Sequence, residues 1–262
     1  MSRARLLVLF GLGFAVPALA YLPPATALLK RVVQKRDGLG LSSIEAEGTL
    51  SLTGDAALAV QSLLSAAGPP NPVPAPGSDL SVPALVLLKA PGRCRLELAP
   101  AGVPPAARPA LSWRGARIAS QRGLDAVPDA QALLSSLCAL LAERGAGGAE
   151  PERYLAEQIA KEGVSLSDVA FGRMNGRIAW VLGGRPQDPR PQAWIDKLTF
   201  QPIRLVVPVA GMPRDVRLLD YGSPVGGEIF PRAVEVWTAQ KLEVRFTPAK
   251  VTTNLKMPDA LF

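Results

Sequence analysis

Two cysteines and a handful of carboxylates carry what reactive chemistry this sequence offers, because its 262 residues include no histidine. Without an imidazole the chain can assemble neither a Ser–His–Asp relay nor a histidine-ligated metal. Two thiols are too few for a four-cysteine zinc or iron–sulfur centre. Asp168, Asp196, Asp220 and Glu235 fall in or beside segments that alternate like strands. Two of them would have to sit at glycosidase spacing to hydrolyse anything, whereas their alternation with apolar residues reads as the wet face of a sheet. Ser42-Ser43 and Ser135-Ser136 lack a G-x-S-x-G elbow. The glycine-rich stretches at 145–148 and 226–227 lack the strand-to-helix setting of a phosphate loop. The expectation is a protein with no catalytic residue, no metal and no cofactor, whose work is binding.

The cysteines point to a compartment. Cys94 shares one side of a predicted strand with Leu96 and Leu98, and Cys138 lies at the edge of a helical apolar stripe. If that helix lies on the sheet, the two sulfurs form either a disulfide or a pair of buried thiols. An oxidising compartment is also what the N-terminus suggests. Arg3 and Arg5 precede an apolar run from Leu6 to Val16, and Pro17-Ala18-Leu19-Ala20 ends it with an A-x-A arrangement. This is the three-part form of a secretory signal peptide, cleaved after Ala20, and the run is short for a membrane span. The expected product, 21–262, is one domain. No cysteine follows the cleavage point to take a lipid. Part of the net charge of +7 leaves with the two arginines, and basic residues elsewhere are mixed with acidic ones, so no nucleic-acid partner is expected.

Periodicity supplies the elements that would hold a binding site. Residues 25–37 place Leu28, Leu29, Val32 and Val33 on one face of a helix that Gly38 and Gly40 stop. From Ile44 to Thr53 the period changes to two. A short helix over 55–67 leads into the proline-rich stretch 68–79, read as a surface loop. Strands at 80–90 and 92–99 flank Ala90-Pro91-Gly92, and a hairpin over 110–121 turns at Arg114-Gly115. Leu133, Leu134, Leu137, Leu140 and Leu141 make one stripe of a helix over 127–143, and a second helix covers 151–162. From 164 onward strands are predicted near 166–172, 176–183, 193–199, 202–209, 214–221, 229–239 and 241–253, with Asn175-Gly176 as a hairpin signal. The fold class read from this is α+β: about ten to eleven antiparallel strands in a strongly curved sheet, with helices covering its concave apolar face.

Several segments in this order resemble the outer-membrane lipoprotein-sorting proteins, the LolA/LolB-like family. They are the Glu-bearing strand Ser43 to Leu50, the turn Lys89-Ala90-Pro91-Gly92-Arg93, and the hairpin Ser112 to Ile118. The strand Gly176 to Gly183, the segment Trp194-Ile195-Asp196-Lys197-Leu198-Thr199-Phe200-Gln201-Pro202, Phe230-Pro231-Arg232 and the ending Met257 to Phe262 follow. The resemblance spans roughly 25–262. It implies an unclosed β-barrel under a helical lid, and a soluble, monomeric periplasmic carrier of acylated lipoproteins or lipids. It also implies an inner-membrane donor and an outer-membrane acceptor. Two departures stand out: Ala90 occupies the place of an arginine that helps control cargo release in the family, and Tyr21 stands where the membrane-anchored acceptor has a lipidated cysteine.

Under that reading the cavity candidates are Ile44 and Leu50 of the first strand and Leu96 beside Cys94. Leu133, Leu137 and Leu140 of the midway helix and Val234, Val236, Val244 and Phe246 of the last strands complete the set. A packed core would use the same residue types. The alternative is an envelope sensor of the same fold that binds a protein partner, with Trp237 and the 68–79 loop as candidate surface.

Overall fold

The period-two run after the first helix becomes the centre of a sheet. In this computed structural model, residues 22–67, 79–114, 117–144 and 150–262 are described. The leader 1–20, nearly all of the proline-rich loop, the Gly115 side of the hairpin turn and the glycine-rich break at 145–148 lie outside them. Helix α1 spans Ala25–Asp37, β1 Ser43–Leu52 and α2 Gly54–Ala67. Strands β2 (Leu80–Lys89), β3 (Arg93–Leu98), β4 (Ala110–Arg114) and β5 (Arg117–Gln121) follow. Helix α3 covers Pro128–Leu137, runs into a π-helical turn at Cys138–Ala142, and is followed by α4 at Pro151–Lys161. The second arm holds β6 (Val169–Met174), β7 (Arg177–Leu182), β8 (Gln192–Asp196), β9 (Pro202–Val209), β10 (Met212–Leu219), β11 (Ala233–Thr238) and β12 (Lys241–Thr253).

All twelve strands join one antiparallel sheet in the order β5-β4-β3-β2-β1-β12-β11-β10-β9-β8-β7-β6. The chain starts at the centre, meanders out to β5, crosses through the helices to the far edge at β6, and meanders back until β12 pairs with β1. Edges β5 and β6 are not paired with each other, so the barrel is unclosed. Helix α3 packs on β3 and β4 of one arm and on β9, β10 and β11 of the other. A sheet that touches one helix from both arms must wrap around it.

The seam between the arms carries a bulge at Glu47/Gly48, where the β1–β12 register shifts. A Cβ on Gly48 would lie 2.2 Å from the Thr247 carbonyl oxygen and 2.8 Å from Pro248 Cα, both backbone atoms of the partner strand. Backbone cannot swing aside as a side chain can, so Gly48→Ala must open the seam. The expected loss is about 2 kcal/mol of unfolding free energy, read as a lower urea midpoint at unchanged slope.

Three sequence expectations are corrected. The stripe over 127–143 predicts one α-helix, but the chain leaves α geometry at Cys138, and Glu143 N donates to Cys138 O at 2.8 Å, the wider spacing of a π turn. The strand expected at 193–199 ends at Asp196, because its Oδ1 accepts from Leu198 N, Thr199 N and Thr199 Oγ1 and folds the chain into a turn. The sheet holds twelve strands where about ten to eleven are expected.

Candidate functional site

All ten cavity candidates fall in one continuous core. Ile44, Leu50, Leu96, Val234, Val236, Val244 and Phe246 line the concave face, and Leu133, Leu137 and Leu140 meet them from the helical side. Leu28, Leu29, Val32 and Val33 of α1 and Leu155 and Ile159 of α4 extend the same core. Cys94 and Cys138 meet in it as a disulfide with 5.8 Å between their Cα atoms. The bridge pins the start of the π turn to β3.

The helical cover is fixed at its far end by the turn between β2 and β3. Gly92 N donates to Ala142 O at 3.1 Å. The Glu143 carboxylate fills the space above Gly92 so closely that a Cβ there would stand 2.4 Å from it. Glu143 in turn accepts from the Tyr154 hydroxyl of α4 at 2.8 Å; burial, then this bond, pushes that phenol up to about 12. Ala90 contributes no polar side chain to this attachment, which the backbone of Gly92 makes instead. Lys89 donates to Met257 O and Asp259, so the C-terminal segment straps the same turn.

A cleft lined partly by core residues opens to the outside. It opens between α1, the π turn, the β8–β9 turn and the β10–β11 connection, and its lining includes Leu39, Leu41, Ile44, Leu140, Leu141 and Ile229. The free space is about 30 Å³, room for one water. Two polar atoms without hydrogen-bond partners belong to residues of this lining, Arg36 Nη1 and Tyr221 Oη. Burial pushes the Tyr221 hydroxyl well above the usual phenol range. Sequence reasoning missed Arg36, yet its signal was present. It stands four residues after Val32 and three after Val33, on the apolar face of α1, and it is 7% exposed.

The charges around Arg36 are shared unevenly. Arg36 Nε donates to Asp37 Oδ1 at 2.9 Å, and Arg144 Nε reaches the same oxygen at 2.8 Å. Burial and the like charge of Arg36 push Arg144 down to about 10. Lys35 pairs with Glu228 at the rim. Phe200, with φ 56°, and Pro202 also line the cleft. The same turn holds Leu198 out, 85% exposed.

Three of the four carboxylates considered for catalysis are held in ion pairs. Asp196 pairs with Arg177 at 2.9 Å, and Asp168 with Arg190 at 3.1 Å. Glu235 accepts from Trp237 Nε1 and faces Arg245. Asp220 sits at φ 54° just past β10. Trp237, read as candidate partner surface, is half-buried with the Arg217 guanidinium 4.3 Å from its ring centre. Among the described residues no helix is long and apolar enough to cross a membrane.

No protein-family model matches the chain, and no curated protein matches it. Solved structures do. A LolA superfamily protein from Nitrosomonas europaea is 12% identical with a TM-score of 0.47, covering 92% of this chain and 98% of that one. An outer membrane lipoprotein-sorting protein domain from Vibrio parahaemolyticus is 10% identical with a TM-score of 0.40, covering 88% and 94%. MucB in complex with MucA(peri) is 14% identical with a TM-score of 0.29, covering 90% of this chain and 58% of that one.

Proposed function

We propose that residues 21–262 form a single exported domain that binds the acyl chains of lipoproteins or lipids in the periplasm and carries them toward the outer membrane. The observation that carries this reading is the continuous apolar surface shared by the concave sheet and α1, α3 and α4, some of whose residues line an apolar cleft open to the outside. A cleft of about 30 Å³ is far too small for an acyl chain, so the helices must move to admit one. Loading requires α1 and the π turn to part, and each buried CH₂ of the ligand then contributes about 0.8 kcal/mol. The ten core positions named above become the chain-lining surface once the helices move. The disulfide suits an oxidising compartment. Transfer would involve a donor at the inner membrane and an acceptor at the outer one, with the protein itself a monomer.

Native mass spectrometry of protein purified from a periplasm, before and after incubation with phospholipid and an acylated peptide, tests this. An adduct of acyl-lipid mass is expected. Leu39→Glu, at the half-buried rim of the cleft, should reduce its occupancy about tenfold while leaving the fold intact. A mass that stays that of the bare chain after incubation overturns the proposal.

One observation favours a second reading, a module that binds a protein partner. Phe171, Ile178 and Leu198 are all exposed near the free β6 edge, with Lys197 Nζ 4.9 Å from the Phe171 ring centre. Binding of this kind would leave the core closed, and the lipid incubation would then give no adduct.

A further inference from the structure

Arg36 Nη1 is a buried donor of a permanent cation, and it has no hydrogen-bond partner. The residue is 7% exposed. A buried donor left unmade is costly, and more so on a charged group. The Tyr221 hydroxyl is also buried without a partner, and both residues line the cleft between α1 and the π turn. Elsewhere that lining is mainly apolar, including Ile44, Leu140 and Ile229.

The surrounding acids do not fill the vacancy. Asp37 is divided between the Arg36 and Arg144 guanidiniums. Glu143 takes the Tyr154 hydroxyl. Glu228 lines the cleft as well, but Lys35 holds its carboxylate. Arg36 and Arg144 are balanced in charge by Asp37 and Glu143, but only Asp37 is bonded to Arg36, and the partner that suits the open Nη1 donor is an anionic oxygen.

We infer that this cleft seats the oxyanion of an acyl lipid, with Arg36 Nη1 and the Tyr221 hydroxyl as its donors and the acyl chain running past Leu140 and Ile44 into the core. This rests on the acyl-binding reading above and narrows it. A fatty-acid carboxylate and a phospholipid phosphate share the required chemistry. The uncharged esters and amides of an acylated protein terminus do not.

The test compares three probes with the same C16 chain, palmitate, hexadecyl phosphate and hexadecanol, by calorimetric titration of the purified protein and of Arg36→Gln and Tyr221→Phe. At least one anionic probe should bind about tenfold more tightly than the alcohol, the worth of one charge-assisted bond. Arg36→Gln should erase that preference, bringing the anionic probes to within about twofold of hexadecanol, and Tyr221→Phe should weaken the anion by about threefold. A preference for the carboxylate identifies a fatty acid, and a preference for the phosphate identifies a phospholipid. If all three probes bind alike to the unaltered protein, the pair serves a buried water only; the head-group site is then overturned while acyl binding stands. If none binds, both fall. Should Arg36→Gln fail to fold, the three probes on the unaltered protein still decide.

Discussion

Reducing the Cys94–Cys138 bridge lowers the stability of this protein by about 4 kcal/mol. The two cysteines are separated by 44 positions, so the bond closes a long loop and removes much of the freedom of the unfolded chain. Both residues are fully buried, Cys94 in β3 and Cys138 where α3 passes into the π turn. The bond also joins the helical layer to the sheet, so its loss should loosen the helical cover before the sheet. Urea unfolding with and without a reductant, together with Cys94→Ala/Cys138→Ala, measures it. The reduced protein and the double variant should agree. A midpoint that does not move would mean that the bond adds nothing the core does not already provide.

Arg214→Ala costs about 3 kcal/mol, the penalty for leaving one member of a buried ion pair alone. Arg214 of β10 donates through Nε to Asp129 Oδ1 at 2.7 Å, and Thr238 of β11 donates to the same oxygen at 2.9 Å. Asp129 stands in the first turn of α3, where the helix dipole favours its negative charge. These bonds fasten the start of the central helix to the second arm, as the disulfide fastens its end to the first. A cleft of about 330 Å³ beside the pair admits solvent, which keeps the cost from being larger. Asp129→Asn/Arg214→Gln should be less damaging than Arg214→Ala, because neither charge is then stranded. A double-mutant cycle in urea reads the coupling, and a value near zero would show that the pair is solvated in solution.

Much of the scaffold was legible in the sequence, and the limits have a physical cause. The bounds expected at 202–209 and 241–253 are those of β9 and β12 to the residue, and the 3.6 period over 25–37 gives those of α1. Strand phase and helical stripe together brought Cys94 and Cys138 near enough to raise the question of a bond. The π turn was not legible, since an apolar stripe of leucines fits α and π geometry alike and the backbone bond from Glu143 to Cys138 leaves no mark in residue types. The second arm hid another feature: β7, β8 and β9 also bury their convex side, where Ala179, Val181, Trp194 and Ile203 cluster. Gly172 makes that possible, because a Cβ there would meet the Trp194 ring at 2.6 Å. The head-group donors were half legible. Arg36 breaks the apolar face of α1, a visible irregularity, whereas Tyr221 reaches the cleft only through the path of the β10–β11 connection.

The seam at the centre of the sheet also sets the order in which the molecule can be made. Ile44 pairs with Thr253 and Leu52 with Val244, residues from opposite ends of the chain. A polypeptide delivered N-terminus first can complete β1 to β5 early, but it must then hold β1 with one unpaired edge until the last strand arrives. An open edge of that kind recruits other chains, and pairing over so long a separation is slow. The newly delivered chain is therefore most prone to aggregate in the interval before β12 docks, and a holding factor that shields β1 during that interval would raise the yield of folded protein more than any gain in the stability of the finished one.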